Sequence, residues 1–288
     1  MEIVESIDQY KSLKSAVKQR CGSLASNFFL TSGGLSRILE LQGLSYVEYP
    51  QGLVMFADEG TYYRAFYYLD PNRPLPDISQ DKMVVIEELD NNGKRDEYLS
   101  DFFAKLEAGG WQRVARNVQV YSSLDNRGDE IRDKFRRAQD NLIEQGFHIE
   151  ECPERHVDRV ISLWKEWLRK TDLPSEHMGF IGDPSQTVIC VLNDNDEVCG
   201  TNWWRLQGGV CEIRHTVTNP RFYKRGIGYA MQLAAMADAV DIGCRGVFTY
   251  IDDRNYRSLA MFEKAGIVEN GRITVQYSLE RSDNGKNA

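Results

Sequence analysis

Apolar and polar positions along the chain follow two rhythms, one of period two and one close to 3.6. Gly52 to Phe56, Tyr62 to Leu69 and Lys82 to Leu89 are short β-branched and aromatic runs that predict strands. Phe147 to Cys152 predicts another, and Val157, Val160, Ile161, Trp164 and Trp167 then recur on one helical face between His156 and Lys170. Thr187 to Leu192 and Val198 to Leu206 flank the polar stretch Asn193-Asp194-Asn195-Asp196 and predict a hairpin. Val210 to Val217 predicts a strand, and Asn219-Pro220 supplies turn chemistry. Ala230, Leu233, Ala234, Ala237 and Val240 then predict a helix running to Gly243. Gly246 to Ile251 predicts a strand, and Ser258 to Ala265 a short helix closed by Gly266. Between the two halves, 127–145 is a charged amphipathic helix with Ile131, Phe135, Ala138 and Leu142 on one face, taken here as a solvated connector.

Composition narrows the function classes. At 288 residues the chain has the length of roughly two domains. A formal net charge of −8 argues against general nucleic-acid binding, which needs a phosphate-neutralising surface. The six cysteines, Cys21, Cys152, Cys190, Cys199, Cys211 and Cys244, form no C-x-x-C pair and predict small buried residues of a reducing compartment. Four scattered histidines predict no metal site. The N-terminus lacks a basic-then-apolar signal and no apolar run is long enough to span a bilayer, so the expectation is a cytoplasmic protein with no membrane partner.

Candidate chemistry concentrates between the strand at Val210 and the alanine-rich helix. Arg225-Gly226-Ile227-Gly228 opens that helix, where glycines permit a tight turn and the first helical turn offers unpaired N–H groups and a positive dipole end to an anion. Lys224 and Arg225 add charge at the same place. No Lys-Ser/Thr follows a longer glycine loop and the third glycine of a dinucleotide fingerprint is missing. Further on, Asn255, Ser258, Phe262, Lys264 and Gly266 sit in N-Y-R-S-L-A-M-F-E-K-A-G-I. Together these two segments, about Val210 to Ile267, resemble the GNAT superfamily of N-acetyltransferases. The first is similar to its Q/R-x-x-G-x-G/A loop, which grips the pyrophosphate of acyl-CoA, and the second to its N-x-x-S/A-x-x-x-Y/F-x-K-x-G-F helix. Two departures stand out: Tyr223 replaces the leading Gln or Arg, and Phe262 replaces a tyrosine that in many members protonates the departing thiolate.

The resemblance implies acetyl-CoA as co-substrate and no metal. It implies cofactor contacts from Val217, Thr218, Tyr223, Lys224, Arg225, Gly226, Ile227, Gly228, Tyr229, Asn255 and Ser258, and it places acceptor specificity in Thr171 to Ser185. It also implies Glu212 as catalytic base, acting through a water with its pKa raised by a partly apolar cleft. A carboxylate ion-paired with Arg214 or Arg245 is the competing reading of that residue. His215 falls on the opposite face if strict alternation holds and then reads as a packing histidine; a strand bulge would reverse this. Tyr256, Tyr250 or Tyr277 could replace the missing hydroxyl, and Trp203, Trp204, Tyr62, Tyr63 and Tyr67 could build an aromatic pocket.

The first half carries an echo of the second. Phe102-Phe103-Ala104-Lys105 followed by Gly110-Trp111 repeats Met261-Phe262-Glu263-Lys264 followed by Gly266-Ile267. From Gly110 to Tyr121 the register matches Gly266 to Tyr277 without a gap, Arg116 falling on Arg272 and Tyr121 on Tyr277. The chain thus resembles tandem-GNAT proteins, and the expected fold class is α+β (mixed α/β), two GNAT-like units, each a mixed central sheet flanked by helices. The expected division is 1–124 as a degenerate unit, 125–145 as connector, 146–281 as catalytic unit and 282–288 as a flexible tail. The prolines of Asp70 to Asp77 lack the N–H groups of an anion cradle, so the first unit is expected not to bind CoA. The function expected is acetyl-CoA-dependent N-acetyl transfer to an amine of a small molecule or peptide, by a monomer. An acyl-CoA sensor without catalysis and a Fem-type aminoacyl transferase are the alternatives.

Overall fold

The computed structural model describes residues 1–28, 32–41, 43–78, 80–91, 96–172 and 185–280. In chain order the elements are β1 (Glu2–Ile3), α1 (Ile7–Cys21), β2 (Ala25–Ser26), α2 (Ser32–Leu41), β3 (Leu44–Tyr49), β4 (Gly52–Asp58), β5 (Tyr62–Leu69), β6 (Met83–Asn91), α3 (Asp96–Ala108), β7 (Gln112–Ser123) and α4 (Gly128–Ile143). There follow β8 (Phe147–Glu151), α5 (Val157–Trp167), β9 (Gln186–Asn193), β10 (Val198–Gln207), β11 (Val210–Thr218), α6 (Ile227–Asp241), β12 (Gly246–Asp252), α7 (Tyr256–Ala265) and β13 (Val268–Leu279). Every strand and helix expected from the hydrophobic rhythm is present. The expected tail, 282–288, and most of the expected specificity segment, Thr171 to Ser185, lie outside the described residues.

The chain forms two compact units, and they do not follow the linear division at 124 and 146. One holds 1–116 together with 272–280; the other holds 117–172 and 185–271. The pseudo-repeat explains the difference. Left-handed Gly110 (φ 88) ends the helical stretch before β7 as left-handed Gly266 (φ 83) ends α7, and each releases a 12-residue strand in the register anticipated from sequence. The two strands are then exchanged. Asn117 to Ser123 of β7 pairs antiparallel with all of β12, while Arg272 to Leu279 of β13 pairs antiparallel with Val84 to Asn91 of β6.

In the first unit β3, β4 and β5 form an antiparallel meander, and β5 runs parallel to β6. One sheet face packs Val54, Tyr67, Ile86, Phe102, Trp111 and Tyr277; the other packs Val17, Leu35, Met55 and Phe66. In the second unit β8, β9, β10 and β11 are antiparallel neighbours, and β11 runs parallel to β12. Helix α6 is apolar nearly all round because it is sandwiched: Ala230, Met231, Leu233, Ala234 and Met236 are buried against the sheet and its flanking helices.

The solvated connector is overturned. Helix α4 lies antiparallel along α6, with Arg132 bridging to Asp241 at 2.8 Å near one end and Gln145 Nε2 donating to the Arg225 carbonyl at 3.2 Å near the other. Ile131 and Leu142 are buried in the same core, and Phe135 and Ala138 pack on it. The apolar stripe read from sequence was a core-facing face, which is what a stripe of that width requires.

A fragment cut at the linear boundary, 125–281, leaves all seven residues of β12 without the partner strand supplied by 117–123. It is expected to lack a cooperative melting transition by circular dichroism, whereas 112–271, which keeps that strand, is expected to melt cooperatively.

Candidate functional site

The site begins where two parallel strands part. The register of β11 with β12 covers only Cys211–Val247 and Glu212–Phe248. Beyond it, Ile213 to Thr218 still pairs with β10 but no longer with β12, so main-chain groups on that edge of β11, including those of Val217 and Thr218, face a gap.

At the end of β11 the turn Asn219 to Phe222 is pinned by the Asn219 side chain, which accepts from Arg221 N–H at 3.1 Å. The chain then enters α6 through two left-handed residues, Lys224 (φ 65) and Gly226 (φ 83). Gly226 is the N-cap and no side chain caps the helix, so the first N–H groups of α6, those of Ile227, Gly228 and Tyr229, point out of the turn without intrahelical partners. Tyr223, Lys224, Arg225 and Gly226 are exposed beside them. A Cβ on Gly228 would lie 2.7 Å from Met261 Sδ, so only glycine lets α6 and α7 approach this closely. A Cβ on Gly200 would lie 2.7 Å from Ile227 Cγ2, and its absence seats the start of α6 on β10. Donors, a left-handed glycine, two cations and free access make a fit cradle for a diphosphate.

On α7, Asn255 caps the helix by accepting from Ser258 N–H at 3.2 Å, and Lys264 lies over the Tyr229 ring at 4.6 Å. Asn141 in the last turn of α4 and Gln145 just past its end back the loop, Gln145 Nε2 donating to both the Asn141 side chain and the Arg225 carbonyl. They escaped sequence reading because nothing in two polar residues at a helix end says which loop they support.

Opposite the α6 face, β11 carries a bulge. Trp203 of β10 faces His215 and Trp204 faces Ile213, leaving Arg214 as the extra residue. Alternation therefore slips by one. Cys211, Ile213 and Thr216 point toward α6, Thr216 meeting Gln232 at 2.7 Å, while Glu212, Arg214 and His215 share the other face. The bulge that would reverse the assignment of His215 is thus present, and the histidine stands on the side of Glu212.

Neither residue is tuned for proton transfer near neutrality. Glu212 is buried and held by two guanidiniums, accepting from Arg205 Nε at 2.6 Å and Arg214 Nη1 at 2.8 Å. Burial raises its pKa, but the two arginines outweigh burial and bring it down to about 2. The expected upward shift is therefore reversed. The ion-pair reading holds, with Arg205 in place of Arg245, which instead approaches Gly208. His215 lies between Trp164 and Trp203 with Nε2 buried and without a hydrogen-bond partner among the described residues. Burial, reinforced by the Arg214 charge, lowers its pKa to about 3 and keeps it neutral.

Phe262 is buried in the core of the second unit. Among the proposed substitutes for its missing hydroxyl, Tyr277 belongs to the first unit, stacked on Phe103 at 5.4 Å, and Tyr256 is 74% exposed at the start of α7. The aromatic residues expected to build a pocket divide between the two units. Trp203 stacks on Trp164, Trp204 turns to the other face to reach Asp238, and Tyr62, Tyr63 and Tyr67 are buried in the first unit.

Comparison with known proteins bears on the second half of the chain. Residues 144–267 match the sequence model of the Acetyltransferase (GNAT) family. The chain carries a GNAT acetyltransferase domain. Among solved structures, a GCN5-related N-acetyltransferase from Sphaerobacter thermophilus aligns with a TM-score of 0.59 at 13% identity, covering 96% of this chain and 93% of that one. A GCN5-related N-acetyltransferase from Kribbella flavida aligns at 0.52 and 14% identity, covering 87% and 93%. A tandem GNAT protein from the clavulanic acid biosynthesis pathway aligns at 0.51 and 12% identity, covering 82% and 80%. At such identities the likeness is one of fold, and the paired units fit a tandem GNAT arrangement. No curated protein matches the sequence. The GNAT family binds acetyl-CoA as co-substrate, and among the described residues no group of three metal-ligating side chains and no helix long and apolar enough to cross a membrane is found.

The two depressed pKa values carry opposite chemistry but the same sign for stability. Glu212 contributes stability that is present above about pH 4.5 and lost as pH falls towards about 2. His215 stays neutral while the unfolded chain takes up a proton below about pH 6.5, so stability falls from there towards pH 3. Glu212→Gln removes the buried carboxylate that both arginines pair with and is expected to cost about 2–3 kcal/mol at pH 7, the difference from the parent shrinking below pH 4. His215→Gln is expected to flatten the loss between pH 6 and 4. Melting curves against pH check both.

Proposed function

We propose that the protein transfers an acetyl group from acetyl-CoA to an amine of a small molecule or peptide. The observation that carries this is the uncapped start of α6: donors at Ile227, Gly228 and Tyr229, left-handed Gly226, and the Lys224 and Arg225 charges, opening beside the edge of β11 that β12 has released. In this reading the loop from Tyr223 to Tyr229 holds the diphosphate, main-chain groups of Val217 and Thr218 align the pantetheine arm, and Asn255 and Ser258 border it from α7. The bound thioester supplies an activated acyl carbon. The incoming amine forms the C–N bond as the C–S bond breaks, its proton passes to water, and CoA leaves as the thiolate, which then takes a proton from solvent.

Glu212 and His215 then act as a fixed anion and a fixed neutral ring. Glu212 orders Arg205 and Arg214 beside the gap and does not shuttle a proton, since a carboxylate of pKa about 2 is a poor base. Phe262 supplies no acid, which a thiol leaving group of pKa about 8.5 tolerates. A monomer in which the first unit binds no CoA completes the reading.

Thiol release on mixing the protein with acetyl-CoA and a panel of amines, amino acids, polyamines and aminoglycosides tests the function; absence of release with every amine, alongside measurable CoA binding, would favour a sensor. Gly228→Val, which drives a side chain into Met261, is expected to weaken CoA binding more than tenfold by calorimetry. With neither Glu212 nor His215 titrating between pH 5 and 9, log kcat/KM is expected to climb with unit slope until the acceptor amine is deprotonated. A break near pH 6 instead would return a protein base to the mechanism.

A further inference from the structure

Two thiols lie side by side on the sheet face away from α6, at a place the acetyl-transfer reading does not use. Glu150 of β8 faces Cys190 of β9, and the ladder continues through Glu151–Ile189 to the Cys152 N–H, which donates to the Val188 carbonyl at 2.8 Å. Ile189 and Val191 point into the core beneath α6, so Cys190 points the other way, and Cys152, in step with Glu150, shares that face. The two side chains are diagonal neighbours on that face, and the Cys152 thiol turns to the Pro153 carbonyl at 3.7 Å. Both are free thiols, Cys190 fully buried and Cys152 nearly so.

We propose that Cys152 and Cys190 form an oxidisable pair, a modification site that closes to a disulfide with hydrogen peroxide as the oxidant. In a flat ladder diagonal Cα atoms sit about 7–8 Å apart, and a disulfide needs less than about 7 Å, so closure requires a small movement of one strand. The fold supplies it. β8 is the last strand of the sheet, paired with β9, and Cys152 lies just past its last residue, held by the single N–H bond to Val188 and followed by Pro153, which has no N–H to continue the ladder.

The roles of the two sulfurs are unequal. The hydrogen bond from Cys190 holds the Cys152 thiol below its ordinary range, whereas that same contact and burial push Cys190 up. Cys152, 8% exposed at the strand end where Cys190 is fully covered, is the sulfur a peroxide reaches and so the nucleophile. Its thiolate attacks one peroxide oxygen, the O–O bond breaks, and the sulfenic acid forms with loss of water. The Cys190 sulfur then attacks the Cys152 sulfur, the S–O bond breaks, and a second water leaves with the Cys190 proton. Two thiols are oxidised by two electrons and one peroxide is reduced to two waters. The bridge encloses the chain from Pro153 to Ile189, including α5. It does not depend on the assignment of acetyl-CoA to α6.

The test treats the folded full-length protein with a slight excess of hydrogen peroxide, blocks remaining thiols by alkylation, and maps peptides by mass spectrometry. The expected result is a loss of about 2 Da from the intact protein, the mass of two hydrogens, with the Cys152 and Cys190 peptides joined and the link reversed by dithiothreitol. Cys152→Ser and Cys190→Ser should each abolish the link, and Cys190→Ser should leave sulfenic acid on Cys152 that a dimedone probe captures. A bridge between Cys211 and Cys244 instead, or Cys152 carried on to sulfinic acid with Cys190 still alkylated, or both thiols alkylated in full, overturns the proposal.

Discussion

The parting of β11 from β12 is the constraint on which the candidate site rests. Parallel strands bond evenly along their length unless something holds them apart, and here the ladder stops after Glu212–Phe248. On one side β12 is fastened along its whole length to β7; on the other β11 is fastened to β10 through Thr218. Each strand is committed to its other neighbour, so the gap between them is a product of pairing and not of loose packing. The Trp203–His215 and Trp204–Ile213 register adds a bulge on β11 just past the last shared pair, which raises local twist and turns the strand away.

The bulge also governs where the histidine stands. Arg205, opposite Glu212, and Arg214, two residues on, already flank the carboxylate under plain alternation; the bulge brings His215 onto the same face, a histidine kept uncharged beside two guanidiniums. Had strict alternation held, His215 would have faced α6, where Thr216 now meets Gln232 and Asn202 in a buried polar chain. One inserted residue thus decides which polar side chains face the gap and which tie α6 to the sheet.

Much of this was legible in the sequence, and the division follows from range of interaction. The loop at Gly226 and Gly228, the cap at Asn255 and the strand–helix order depend on residues within a turn or two of one another, and local chemistry writes them plainly. The pKa of Glu212 depends on Arg205, a cross-strand partner, and the face of His215 on a bulge with no sequence signature beyond the residues it displaces. Helix α4 showed its apolar stripe but not its partner, because periodicity gives the width of a buried face and says nothing of what covers it.

The exchange of β7 and β13 lies at the far end of that range. The repeat was readable down to the register: Gly110 against Gly266, with twelve-residue strands starting two positions later. Its pairing was not, because two strands so alike in pattern and length suit either acceptor edge, and sequence contrast cannot choose between them. β12 requires a partner whose residues suit Val247, Thr249 and Ile251, and β7 presents Val118 and Val120 in that stretch; β6 receives Val275 and Tyr277 of β13 against Glu88 and Ile86. The consequence is physical. Each unit completes its sheet with chain from the other half of the sequence, so the second unit cannot close around its gap until residues 117–123 have been placed. A strand from the first half of the sequence is therefore indispensable to the fold of the unit that carries the candidate site.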